Sequence, residues 1–163
     1  MSRPFNLIVS CAENRVMGRE GRLPWSIPED QRFFRETTAG SVPILGRICF
    51  QTWPGALADG RRPVVVTSDP SLARGGAAVA PSFPAALSIA QTLPGEIFIC
   101  GGERIYREAI ALPEARRLYL TLVHAEVTGD RHFPEWKSIF TREISRRESS
   151  DARWRYTFFI LER

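Results

Sequence analysis

The stretch EIFICGGERIYREAIAL, Glu96 to Leu112, decides the fold. Its opening run, EIFIC, is apolar without alternation, as expected of a strand covered on both faces. Two glycines interrupt it, and Glu103 to Leu112 reads as a helix. Working outward, the same grammar repeats. The runs FNLIVSCA, VPILG and PVVVTS read as further buried strands, and Pro28 to Thr38, Arg47 to about Trp53, and Phe83 to Thr92 read as helices between them. Strand and helix alternate, which predicts parallel strands joined by right-handed crossovers. After Pro113 the character changes: RRLYLTLVHAEV, IFTREISRRES and RWRYTFFILER are strand-like with no helix between them, so antiparallel strands are expected at one side. ARGGAAVAPSFPAA reads as a loop holding one short strand. The expectation is a single domain over residues 1–163, a three-layer α/β sandwich with a mostly parallel mixed sheet and antiparallel C-terminal strands.

Composition agrees. At 163 residues and 44% hydrophobic, the chain can enclose one substantial core. Cys11, Cys49 and Cys100 are odd in number and far apart, with no CxxC pair, so neither a disulfide framework nor a zinc site is expected. No apolar run reaches membrane-spanning length and no leader is evident, which predicts a soluble cytoplasmic protein without membrane partners. The net charge of +4 suits an anionic ligand. Its arginines are scattered as doublets (Arg61–Arg62, Arg116–Arg117, Arg146–Arg147), which argues against nucleic acid. With no long exposed apolar stripe, a monomer is the simplest expectation.

In such folds ligands bind beyond the carboxyl ends of the strands. The exits here are AENRVMGREGRLPW, GRICF, TSD and GGERIY, all polar or glycine-rich. Gly101 and Gly102 allow a close backbone approach, and the amides of the following helix start favour phosphate. Arg47, Thr67 and Ser68 supply a guanidinium and hydroxyls of the kind that hold a phosphate monoester. Gly18 and Gly21, around Arg19 and Glu20, have the composition of a lid closing on Trp25. Cys49, near a helix start and Arg47, is expected to be the most reactive thiol.

LPWSIPEDQRFFRET, Leu23 to Thr37, reads as a helix start with Ser26 as cap, Glu29 reaching back and Pro28 in the first turn. Asp30 then shares a face with Phe33, Phe34 and Thr37. A carboxyl group on an aromatic face should have a raised pKa and a purpose toward a ligand, such as bonding two adjacent donors of a flat heterocycle.

Together these pieces resemble the dihydrofolate reductase family, in order and over nearly the whole chain: NRVMGREGRLPWSIPEDQRFF, PILGR, GRRPVVVTSD, IFICGGERIY, LYLTLVHAEVTGDRHFP and FFILER. The resemblance implies NADPH-dependent hydride transfer to C6 of 7,8-dihydrofolate with N5 protonation, and binding of antifolate inhibitors. It implies that Asp30 is the pterin carboxylate, that Thr121 buttresses it, and that Trp25 is linked to the site through water. Phe34 would pack on the pteridine and benzoyl groups, and Arg61 would pair with the glutamate tail. Ile8, Ser10 and Cys100 would line the pterin and nicotinamide pockets. Met17, Gly18, Gly46, Arg47, Cys49, Thr67, Ser68, Gly101, Gly102, Arg104, Ile105 and Tyr106 would form the cofactor side. Leu23 would lie in the mobile active-site loop and Asp130 in its partner loop. Two departures stand out. Cys49 and Phe50 replace the family's usual threonine and tryptophan, and FQTWPGALADGR lacks its proline-leucine-proline approach, leaving the register of Leu57 open. A same-fold reductase of a ribosylated pyrimidine and a noncatalytic nucleotide-binding protein are the rival readings. Asp30, Phe34 and Arg61 favour folate over both.

Overall fold

A computed structural model describes residues 3–163. Its strands and helices in chain order are β1 (Phe5–Ala12), β2 (Val16–Gly18), α1 (Pro28–Thr38), β3 (Val42–Gly46), α2 (Arg47–Gln51), β4 (Val64–Val66), β5 (Ala78–Ala80), α3 (Phe83–Ala90), β6 (Ile97–Gly101), α4 (Glu103–Ile110), β7 (Ala115–Val123), β8 (Arg131–His132), β9 (Arg142–Ser150) and β10 (Arg155–Glu162). Eight strands form one sheet in the order β5-β4-β3-β6-β1-β7-β10-β9. From β5 to β7 all neighbours are parallel, whereas β10 pairs antiparallel with both β7 and β9. The sandwich expected from the alternation is thus present, with the antiparallel strands on one side.

Adjacent residues of the inner strands show why those runs lack polar alternation. Ile44 belongs to a core shared with Phe83 and Ala86 of α3 and Ile105 and Ala109 of α4. Its neighbour Leu45 points the other way, into a cluster with Cys49 and Phe50 of α2. A strand packed on both faces must be apolar at every position.

Three helices stop two residues before their expected ends, at Gln51, Ala90 and Ile110. Each stop precedes a proline, Pro54, Pro94 or Pro113, whose preceding residue is driven away from helical geometry. After α2 the Thr52 hydroxyl turns back to the Ile48 carbonyl at 2.8 Å. The cap expected at α1 does not form. Ile27 is the N-cap and makes no side-chain cap bond, while Pro28 occupies the first turn. Glu29 is drawn instead to β9 and β10, where three donors outbid the single amide a capping box offers.

A two-stranded ribbon of β2 and β8, which sequence reading overlooks, lies outside the main sheet. The edges of the main sheet differ: β5 has three residues, whereas β9 has nine and is exposed along nearly its whole length.

Candidate active site

Helix α1 lies with its Asp30 face toward the sheet, and Asp30 is only 8% exposed. Strands β1 and β7 pair so that Ser10 stands beside Thr121, directly beneath this carboxyl group. The Thr121 hydroxyl donates to Asp30 Oδ1 at 2.7 Å. Trp25 Nε1 donates to Ser10 Oγ at 3.0 Å, which ties the loop before α1 to the same point. Burial raises the Asp30 pKa, the Thr121 and Ser10 hydroxyls pull it down, and the neighbouring Glu29 carboxylate raises it again. Desolvation dominates, as the aromatic face predicts.

Phe34, half-buried one turn along α1, packs on Trp53 with ring centroids 4.7 Å apart. The Arg61 guanidinium lies 5.0 Å from the Trp53 ring centre, so Phe34, Trp53 and Arg61 form a continuous stack. Trp53 was not among the sequence candidates; it sits in the segment whose register was open. Leu57 is exposed and leans on Gly75.

Arg61 does more than the sequence suggested. Its side chain is fully buried, with Nε donating to Thr38 Oγ1 at 3.0 Å and Nη2 to the Arg35 carbonyl at 2.5 Å. Nη1 is shared among the Gly55 carbonyl (3.1 Å), the Ala58 carbonyl (3.0 Å) and Asp59 Oδ2 (3.2 Å). It therefore neutralises the last turn of α1, where carbonyls lack helical partners and a cation is favoured. One Nη2 hydrogen stays uncommitted, and Asp59, 57% exposed, is the acceptor most easily exchanged.

The cofactor candidates gather at the ends of β4, β3, β6 and β1, which are consecutive in the sheet. Gly46 and Gly102 are the N-caps of α2 and α4, and neither helix start is closed by a side chain. A Cβ on Gly46 would stand 3.9 Å from the Gly102 nitrogen, so the two helix starts face each other closely. Gly101 and Gly102 are joined by a cis peptide, with Gly101 at φ +138°. The exposed Arg47 guanidinium bonds only Gln51, at 3.0 Å, and Ser68 is exposed. Thr67 Oγ1 accepts from the Asp69 amide at 3.1 Å. Open amides, close glycine backbones and an exposed guanidinium fit an anionic phosphate group.

Other candidates are placed differently. Tyr106 donates to the Ile8 carbonyl at 2.6 Å and is buried, and Ile105 is buried against Gly46, so both side chains serve the core. Of their amides only that of Ile105 is open to a ligand, since the Tyr106 amide donates to the Gly102 carbonyl at 2.9 Å. Arg104 extends into solvent beside Glu108. Met17 is half-buried and packs on the core, and Cys100 is half-buried.

Cys49 lacks the charge support expected of a reactive thiol. Its sulfur packs against Gly101, where a Cβ would come within 2.8 Å of Sγ. Burial raises its pKa, and no arginine contributes to the shift, because Arg47 turns to Gln51 instead. Burial also raises Cys11, to about 12, and Cys100. Among the described residues no cluster of three or more His, Cys, Asp or Glu side chains could hold a metal.

Leu23 is 48% exposed on the loop that follows β2. Asp130 meets this loop: its amide donates to the Gly18 carbonyl at 3.0 Å, and its Oδ2 accepts from the Glu20 amide at 3.3 Å. Gly129 is required at this crossing, since a Cβ there would collide with the Val16 side chain and the Gly18 carbonyl.

This arrangement has known counterparts. The family model described as dihydrofolate reductase matches residues 4–163. A dihydrofolate reductase type 3 from Salmonella typhimurium is 40% identical over 142 residues, 87% of this chain and 85% of that one. The dihydrofolate reductase of Bacillus subtilis is 34% identical over 164 residues, covering 98% of this chain and 94% of the other. Among solved structures, the dihydrofolate reductase from Enterococcus faecalis complexed with NADP(H) and RAB-propyl superposes with a TM-score of 0.82 at 28% identity, covering 98% of this chain and 96% of that one. With a family model spanning the chain and relatives similar along almost all of it, this chain belongs to the dihydrofolate reductase family.

Proposed function

We propose that Asp30, buried beneath α1 and bonded to Thr121, is the carboxyl group through which this enzyme holds the pterin ring. The reaction is the NADPH-dependent reduction of 7,8-dihydrofolate to tetrahydrofolate. NADPH, when bound, supplies the hydride, and the residues of this chain position, desolvate and polarise. The single observation that carries the assignment of Asp30 is its burial on the same helix face as Phe34, within reach of one flat ligand.

The division of labour follows from the geometry. Asp30 Oδ1 accepts from Thr121, which leaves Oδ2 and the second lone pair of Oδ1 toward two adjacent ring donors. A raised pKa lets the carboxyl keep a proton further toward neutrality than an exposed aspartate, which favours protonation of the ring at N5. Described histidines and other carboxylates do not bond Asp30, so we assign proton delivery to water ordered near Trp25 and Ser10. Phe34 and Trp53 offer apolar surface to the middle of the substrate. Arg61, whose side chain is covered here, would receive the substrate's distal carboxylate once the exposed Asp59 gives up Nη1.

On the other side, the open amides of α4 and Arg47 hold the cofactor's phosphates, with Thr67 and Ser68 beside them. Gly101 and Gly102 let the nicotinamide end approach the sheet. Met17, Gly18 and Leu23 close over it from the loop that Asp130 secures. The antifolate inhibitors bound by the family would occupy the Asp30 and Phe34 half. Among the described residues no helix is long and apolar enough to cross a membrane. We assign the protein to the cytoplasm, as a monomer without nucleic-acid partners.

The test is the absorbance assay with NADPH and dihydrofolate, run on the wild type and on Asp30→Asn. The variant should fold and bind NADPH normally. It should lose most turnover near neutral pH, and its hydride-transfer rate should no longer follow the wild-type pH profile. Unchanged turnover with an unchanged profile would remove Asp30 from the mechanism.

A further inference from the structure

Asp30 and Glu29 are neighbours in the chain that face opposite ways: one into the site, the other toward the exposed edge of the sheet. Glu29 Oε2 accepts from Arg147 Nη1 of β9 at 2.7 Å. Its Oε1 accepts from Ser149 Oγ of β9 at 2.6 Å and from the Tyr156 hydroxyl of β10 at 2.7 Å. Three donors on one carboxylate make a built position, not a passing surface contact. Arg147 is held from a second side, with its guanidinium 4.4 Å from the Phe158 ring centre. Phe158 packs on Phe33 of α1 at 4.8 Å and stands opposite Thr121 in the β7–β10 register. The strand farthest from the cofactor is thereby joined to both sides of Asp30, to its own helix and to its hydroxyl donor.

We propose that the Glu29–Arg147 ion pair adjusts the proton affinity that burial gives the Asp30 carboxyl, and with it the pH range over which this reductase turns over. The two are positioning residues, touching neither substrate nor cofactor. The proposal rests on the assignment of Asp30 made above.

The charges facing this point are few. Glu29 stays ionised across the working range: donation by Ser149, then Arg147 and Tyr156, lowers its pKa to about 2. Tyr156 remains a neutral donor, its pKa raised by burial and then by Glu29, with Asp151 of the β9–β10 turn adding to this. Ser10 of β1 and Thr121 of β7 present only hydroxyls to Asp30. A permanent negative charge therefore stands one residue from Asp30 and favours its protonated form, while Arg147, bonded to that charge, offsets it. Removing either partner should shift Asp30, in opposite directions.

The experiment is an NMR titration of isotope-labelled aspartate carboxyls in the free protein, with the Asp30 signal identified by its loss in Asp30→Asn. It is run beside the pH profile of single-turnover hydride transfer. Glu29→Gln keeps two acceptor-compatible contacts but no charge, and should lower the Asp30 midpoint by about 0.2 to 0.7 pH unit, the scale of a partly exposed charge interaction. Arg147→Gln should raise it by a similar amount. The double variant should return near the wild type, and Arg147→Lys, which keeps the charge, should stay there. Shifts of the same sign, or none, would overturn the proposal and leave the cluster as a structural clamp. If the carboxyl midpoints move as stated while hydride transfer ignores them, the ion pair tunes Asp30 but Asp30 is not the group that governs turnover.

Discussion

Asp30 is a residue whose usefulness opposes its stability. Its folded-state pKa lies above the ordinary 3.8 because burial favours the neutral form. The folded protein therefore binds this proton more tightly than the unfolded chain does. That contribution to stability is complete below pH 3.8 and is lost as pH rises through the raised folded value. Above it, the native state carries a desolvated charge. Asp30→Asn should accordingly be more stable than the wild type at neutral pH, and the gap should narrow on acidification. Thermal unfolding of both proteins across a pH series reads the sign directly, and a gap that widens toward acid would contradict the burial argument. Arg61 gives the converse case. Arg61→Leu strands the acceptors at Thr38, Arg35, Gly55 and Ala58, so it should cost about 3 kcal/mol or more of stability and reports poorly on substrate binding. Asp59→Asn is the sharper probe. It removes an exposed carboxylate from Nη1 and should tighten dihydrofolate about 2- to 5-fold without changing NADPH affinity. Isothermal titration with each ligand would show it, and equal effects on both would place Arg61 in the wrong half of the cleft.

At the scale of elements, α1 is fastened at both ends by residues distant in sequence: Glu29 to β9 and β10, and Arg61 to the final carbonyls. Its limits, Pro28 and Thr38, were readable because Pro28 and the amphipathic spacing are local signals. Neither fastening was. Glu29 finds partners 118 to 127 residues away, and no local pattern announces them, so a nearby cap looked like the better use of its carboxylate. The same holds for the β2–β8 ribbon, whose strands have three and two residues and are too short to carry a period. Trp53 went unnoticed because its role depends on how a loop of uncertain register folds back on Phe34. The charge support expected at Cys49 is missing for a geometric reason: proximity along the chain to a helix start and to Arg47 did not decide where the thiol points. The ribbon offers its own test. Gly129→Ala must push back backbone as well as the Val16 side chain, and should cost about 1 to 3 kcal/mol. It should also free the loop carrying Leu23, seen as faster hydrogen exchange of the Gly18 to Arg22 amides together with slower turnover.

Over the whole molecule, the strand order was legible wherever apolar runs alternated with helices, because doubly covered strands cannot hide their composition. The position of the cleft followed from the same rule. Four polar strand exits were expected to converge, and the strands that carry them are consecutive in the sheet. What composition could not show is how the sheet ends. At one side β5 offers only three residues. At the other, β9 reads REISRRESS, nine residues with an unpaired outer rim of backbone donors and acceptors. Such a rim is a template for a strand from another copy, and charge is one way proteins disarm it. Here Arg142, Glu143, Arg146, Arg147 and Glu148 supply that charge, several of them already paired: Arg142 with Glu162, Arg146 with Glu143, and Arg147 with Glu29. A second chain could add to the sheet only by stripping water from this row of charges. The outermost strand thus discourages strand-by-strand aggregation, and the arginine that helps to guard it is one that α1 also uses.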